Sequence, residues 1–134
     1  MANDCIPIYR PGEDVTGRAS AAITGKRFLK ISGNRTSGPG LSATAEGGLY
    51  QVAPCDAASH PVGVAKYDAA SGKNVGIIST GVVPVTCGAT ITAGQAVQSD
   101  ATGQAIPLAA GVKAGVAMSA GVTASDVEIK LTIG

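Results

Sequence analysis

Aromatic side chains are nearly missing from this chain: there is no tryptophan, one phenylalanine (Phe28) and three tyrosines (Tyr9, Tyr50, Tyr67) in 134 residues. Burial must therefore come from Val, Ile, Leu and Ala. Small side chains give thin layers and closely spaced backbones, which suits a compact barrel or sandwich. Too few flat rings remain for a platform that stacks nucleic-acid bases. Histidine is reduced to His60, which precedes Pro61 in an expected loop, and no Gly-x-Ser-x-Gly elbow is present. Cys55 and His60 form the one conceivable thiol–imidazole pair, and a packing thiol plus a loop histidine account for both. Cysteine is scarce and odd in number (Cys5, Cys55, Cys87), with no CxxC and no ligand spacing for zinc. This favours a reducing compartment. No apolar run is long enough to span a membrane, and Met1-Ala-Asn-Asp4 has neither the charged nor the apolar region of a signal peptide.

Charge is sparse as well, at 14% of residues and a net +1, so no nucleic-acid footprint is expected. It is unevenly placed. Arg10, Arg18, Lys26, Arg27, Lys30 and Arg35 outnumber Asp4, Glu13 and Asp14 at the start of the chain. That excess is either ordinary solvated surface or a part that docks on an acidic partner. Candidate carboxylate pairs for acid–base work are Asp56 with Asp68 and Asp100 with Asp126. All four fall in turns, where Asp is favoured because its side chain bonds the backbone. No GxGxxG follows a strand, so no dinucleotide site is indicated. Gly33 and Gly38 have the spacing of a phosphate loop, but Pro39 stands where the lysine is needed. Asn34-Arg-Thr36 matches a glycosylation sequon, which has no meaning without secretion. Lipoyl and biotinyl carriers are also small Gly/Val-rich β-domains, but Ala117-Met-Ser119 lacks the attachment lysine. The residues call for no metal and no cofactor.

What the chain has in abundance is glycine. Nineteen are spread at intervals, about twice the usual share, and they punctuate many short strands. Residues 81–99 show the pattern. Val83, Val85 and Cys87 alternate with Pro84, Thr86 and Gly88, the period of a strand with one buried face. Ala93-Gly94 then turns the chain into a second strand at Ala96-Val97, and the two together predict a hairpin or tight corner. Further strands are expected at Lys26–Ser32, Leu49–Ala53, Val62–Lys66, Asn74–Ser79, Ile106–Leu108, Ala114–Met118 and Val127–Ile133. The last alternates most clearly, with Val127, Ile129, Leu131 and Ile133 against Glu128, Lys130 and Thr132. No helix is called for beyond one turn near Asp56–Ser59.

The chain also repeats itself. Gly63-Val-Ala and Val75-Gly-Ile77 recur 52 residues later as Gly115-Val-Ala and Val127-Glu-Ile129. Ile23-Thr-Gly25 resembles Ile91-Thr-Ala-Gly94, and Gly48-Leu-Tyr-Gln-Val52 resembles Gly103-Gln-Ala-Ile-Pro107. The expected fold is all-β: a small Gly/Val-rich barrel or sandwich with an internal two-fold pseudo-repeat. Its units run over about 23–81 and 91–134, within a single domain of residues 23–134. Residues 1–22 precede it as an extended arm, because Pro7 and Pro11 hold the residues before them extended and Pro7 cannot serve a central strand.

Taken in order, Gly63-Val-Ala, Gly81-Val-Val-Pro-Val85, Ile91-Thr-Ala-Gly-Gln-Ala-Val97, Ser99-Asp-Ala-Thr-Gly103 and Gly115-Val-Ala resemble the capsid decoration (cement) proteins of tailed bacteriophages. The resemblance covers roughly residues 20–134. The long Gly33–Gly48 loop and the first 22 residues depart from it. It implies a structural virion protein with no catalysis, which binds the outside of an expanded icosahedral head after assembly in the host bacterial cytoplasm. The major capsid protein is the implied partner and a homotrimer the implied state, with no nucleic acid or membrane bound. Ile6, Ile8, Tyr9 and Arg10 are the candidate contact with the shell or a neighbouring protomer; an edge strand on their own domain is the alternative. Other readings that remain open are a head-fibre base, a tail-tube subunit, and a stand-alone ligand-binding β-module.

Overall fold

A computed structural model describes residues 15–34 and 49–133. Ten strands account for the regular structure among them. The first five are β1 (Val15–Ala19), β2 (Phe28–Ile31), β3 (Tyr50–Pro54), β4 (Gly63–Ala65) and β5 (Asn74–Ile78). They close into a barrel in the order β1-β3-β2-β4-β5, with β5 returning to β1. All pairings are antiparallel except β1 with β3. The other five are β6 (Val82–Thr86), β7 (Ala96–Ser99), β8 (Ala105–Pro107), β9 (Lys113–Ala117) and β10 (Asp126–Leu131). They form a sheet in the order β6-β10-β9-β7-β8, whose ends meet at a single parallel bridge between Cys87 and Ala105.

The pseudo-repeat extends to the level of hydrogen-bonded register. Ala65 pairs with Ile77, and 52 residues on Ala117 pairs with Ile129. Phe28 opposite Val64 reappears as Ala96 opposite Val116, and Val15 opposite Ile77 as Val83 opposite Ile129. The strands β1 and β2 therefore match β6 and β7 at a step of 68 residues. Ala19 beside Val52 corresponds to the bridge of Cys87 with Ala105. The second sheet is thus the first barrel closed by one rung instead of a ladder. The steps differ because the connection from β2 to β3 runs from 32 to 49, whereas that from β7 to β8 runs only from 100 to 104.

Three expectations need correction. Residues 81–99 are not a hairpin: β6 pairs with β10, while β7 lies between β8 and β9. Each is half of a non-local pairing, and alternation along one strand carries no information about its partner. The unit boundaries also move. Val15–Ala19, read as arm, is β1 of the barrel, and β6, left between the units, is its counterpart in the second. Buried Gly17 and Ala19 are small and give β1 a weak alternation signal. The match of Gly48–Val52 to Gly103–Pro107 is two residues out of register, since Val52 corresponds to Ala105.

Two cores result. The first barrel is filled by Ala19, Ile23, Leu29, Val52, Ala65, Val75 and Ile77. The second core holds Val83, Val85, Cys87, Ile91, Val97, Val127 and Ile129, but also Phe28, Cys55 and Val64 from the first half. These three lie on the outside of the first barrel. Successive side chains on a strand point to opposite faces, so on β2 Leu29 fills one core and Phe28 the other.

Turn chemistry repeats with exchanged residues. Among the described residues, two non-glycine residues adopt the left-handed conformation, Lys26 (φ 62) and Ala124 (φ 70). Their counterparts in the other half are Gly94 (φ 86) and Gly72 (φ 84). A side chain there costs roughly 1–2 kcal/mol, and glycine gives back about half of that through unfolded-state entropy. Ala124→Gly is expected to raise Tm by about 2–4 °C. Gly103→Ala is expected to cost about 2–3 kcal/mol, because φ is +86 and an added Cβ would lie 2.8 Å from the Phe28 carbonyl oxygen. Thermal and urea melts of the two variants check both signs.

Candidate functional site

Asp56, Asp68 and Asp100 are each engaged in holding loop backbone, and Asp126 in an ion pair. Asp56 accepts the amides of Ala58 and Ser59 at 3.0 and 2.9 Å, and Lys30 Nζ lies 2.7 Å from its other oxygen. The Lys30 hydrogen bond, then that of Ser59, pulls the Asp56 carboxyl from its ordinary 3.8 to about 2. Asp100 caps its own turn through the amides of Thr102 and Gln104, and Asp68 accepts the Gly25 amide at 2.7 Å. Asp126 binds Lys26 Nζ at 2.7 Å, which lowers its carboxyl. The carboxylates considered as pairs are thus bound to separate structural partners. Cys55 and Cys87 are buried free thiols. Burial pushes both thiols up, away from the thiolate that nucleophilic chemistry needs. The Cys55 thiol donates to the Asp56 and Ser59 carbonyls at 3.3 and 3.5 Å. Among the described residues, no three of His, Cys, Asp and Glu come together as a metal site would require.

The surface offers a different feature. An open apolar groove of about 210 Å³ sits at the mouth of the first barrel, lined by Val15, Ile31, Tyr50, Val62 and Ile77. Ile77 belongs to the barrel core, and Val15 and Val62 pack against it, so the groove is the core reaching the surface. Ile31 is 49% exposed there. Sequence reading missed this groove because its residues stand at strand ends, where alternation no longer tells core from surface. The candidate contact residues Ile6, Ile8, Tyr9 and Arg10 lie outside the described residues.

The family model of the phage cement protein matches residues 10–133. The chain belongs to the phage cement protein family. As a cement-family chain it is a structural component of a virion associated with the capsid. Among solved structures it is similar to the head fiber gp8.5 N base in bacteriophage phi29, at 18% identity and a TM-score of 0.68. That likeness covers 91% of this chain and 95% of the other, and it shows a shared fold. No curated protein matches the sequence significantly.

The Asp56–Lys30 pair yields a pH expectation. A carboxyl depressed in the folded state adds stability above its unfolded value near 4, and that contribution is lost as pH falls toward 2. Both groups are solvent-screened, so the effect on stability is small. Carboxyl NMR should show Asp56 titrating near 2 in the folded protein, and Lys30→Met should move it up toward 3.8. A midpoint unchanged by the substitution would show that the turn amides alone depress it.

Proposed function

We propose that this cement-family chain decorates the outer surface of the expanded icosahedral head and stabilises it, bound to the major capsid protein as a homotrimer. The observation that carries the reading is the family match, which runs over nearly the whole chain. The physics is mass action: a protein that binds the mature lattice and not its precursor stabilises the mature lattice. Repetition over many sites multiplies a modest contact, and no step of this role needs a catalytic residue.

Ile6, Ile8, Tyr9 and Arg10 are proposed to make the contact with the shell or a neighbouring protomer. A segment that Pro7 and Pro11 bias toward extended geometry suits addition to a sheet edge, and Arg10 supplies charge toward an acidic partner. The residue range 1–14 runs into β1, whose first residue, Val15, lines the groove at the barrel mouth. A second reading, the base of a head fibre, is favoured by the fold likeness to the phi29 protein.

Co-sedimentation with emptied heads tests the proposal. The purified chain is expected to pellet with expanded heads and to stay in the supernatant with unexpanded proheads. Deleting residues 2–12 should reduce occupancy at least tenfold. Unchanged occupancy after the deletion would remove the arm from the contact, and no binding to either particle would refute decoration.

A further inference from the structure

The two halves share one register but differ in what covers them. In the second half the positions matching Ile31, Tyr50 and Val62 are Ser99, Gly103 and Ala114, and all three are buried. Their cover is the outer face of the first barrel. The Phe28 amide donates to the Gly103 carbonyl at 2.8 Å. The Cys55 thiol lies beside the Ser99 hydroxyl. Phe28, Cys55 and Val64 share one buried cluster with Ala114 and Ile129. The groove on the first barrel is therefore the counterpart of a site that is already filled within the molecule.

The face that does the filling has a counterpart too. Phe28, Cys55 and Val64 correspond to Ala96, Leu108 and Val116. Ala96 and Val116 are half-buried, and Leu108 is 38% exposed. Sizes are exchanged across the two contacts. Inside the molecule a large Phe28 meets a glycine, Gly103. The corresponding external pair sets a small Ala96 against a large Tyr50. The polar pair Cys55 and Ser99 becomes the apolar pair Leu108 and Ile31, and Val64 becomes Val116 unchanged. Summed size is kept where Phe28 and Gly103 become Ala96 and Tyr50, and grows where Cys55 and Ser99 become Leu108 and Ile31; the apolar replacement suits a surface that is buried on association.

We infer that the groove at the mouth of the first barrel takes the outer face of the second half of another copy, repeating between molecules the contact that the two halves make within one. The groove residues Ile31 and Tyr50 receive Leu108 and Ala96 of a second copy. Two different patches meet, so the contact is heterologous, and it closes into a ring when the rotation per step permits. This deepens the homotrimer reading and rests on it, the trimer being the ring of three.

A complementation experiment tests the inference. Ile31→Asp spoils the groove and leaves the face; Leu108→Asp spoils the face and leaves the groove. Both positions are exposed enough to tolerate the change, and thermal melts confirm folding. By analytical ultracentrifugation from micromolar to millimolar concentration, the native chain should self-associate. Each variant alone should lose association at least tenfold, and an equimolar mixture should form a heterodimer through the one intact pairing. A native chain monomeric throughout, variants that associate like it, or a mixture equal to the sum of its parts would each overturn the inference. So would association that appears only on deletion of residues 2–12, which would mean that the chain fills its own groove. Head co-sedimentation is read separately: a trimer that pellets with heads yet ignores both substitutions refutes this interface and leaves decoration standing.

Discussion

Residues 26–28 hold the two halves together, and the fold depends on that junction. The Phe28 ring is fully buried in the second core, while its neighbour Leu29 is fully buried in the first. The Phe28 amide donates to Gly103, and the Phe28 carbonyl accepts the Cys55 amide at 2.9 Å. Two residues back, the Lys26 carbonyl accepts the Thr86 amide at 2.9 Å, and its ammonium binds Asp126. A phenylalanine buries some 150–250 Å², more than any neighbouring side chain here. In a chain with one Phe and no Trp, that ring is the largest side chain the first half places in the second core. The second half depends on the first for closure, since its sheet has one bridging rung and relies on the first barrel to cover its end.

The sequence conveyed the fold unevenly, for identifiable reasons. Strands with both a buried and a solvated face were legible. Val127 to Leu131 alternates with Glu128 and Lys130, and the structure buries the first set and exposes the second. The Gly-Val-Ala repeat was legible because close approach of β4 to β5, and of β9 to β10, demands small residues at the same place in each unit. β1 was not, because Gly17 must be small where Ile77 crosses the barrel, and small residues leave no alternation to detect. Strand pairing was not legible either: the predicted hairpin at 81–99 divides between partners that lie up to 48 positions away in sequence, as Val82 does from Lys130.

The functional surface was less legible than the fold. The assignment of the acidic residues to turns holds for Asp56, Asp68 and Asp100, which each bind backbone amides, and fails for Asp126, which opens β10 and pairs with Lys26. The order of weak Gly/Val motifs pointed to the cement family, which the family match bears out. The groove had no sequence signature. Ile31 and Tyr50 flank a long connection and read as ordinary strand ends. Their meaning emerges only from comparison with Ser99 and Gly103, which requires the three-dimensional register of both halves.

The unequal connections between the paired strands also bear on how such a protein diversifies. Chain entropy charges little for lengthening a loop whose ends are already fixed by the barrel. Going from the 100–104 connection to the 32–49 connection costs about 1 kcal/mol. Phe28, Leu29 and the ladder of β2 with β3 are indifferent to what passes between them. A lineage under pressure to alter its exterior therefore has an inexpensive place to do so in one half. The other half, whose short turn is capped by Asp100 and seated on Phe28, has no such freedom. The two halves of one repeat thus differ in what they tolerate: one connection can lengthen at little cost, and the other is held by its own cap and by Phe28.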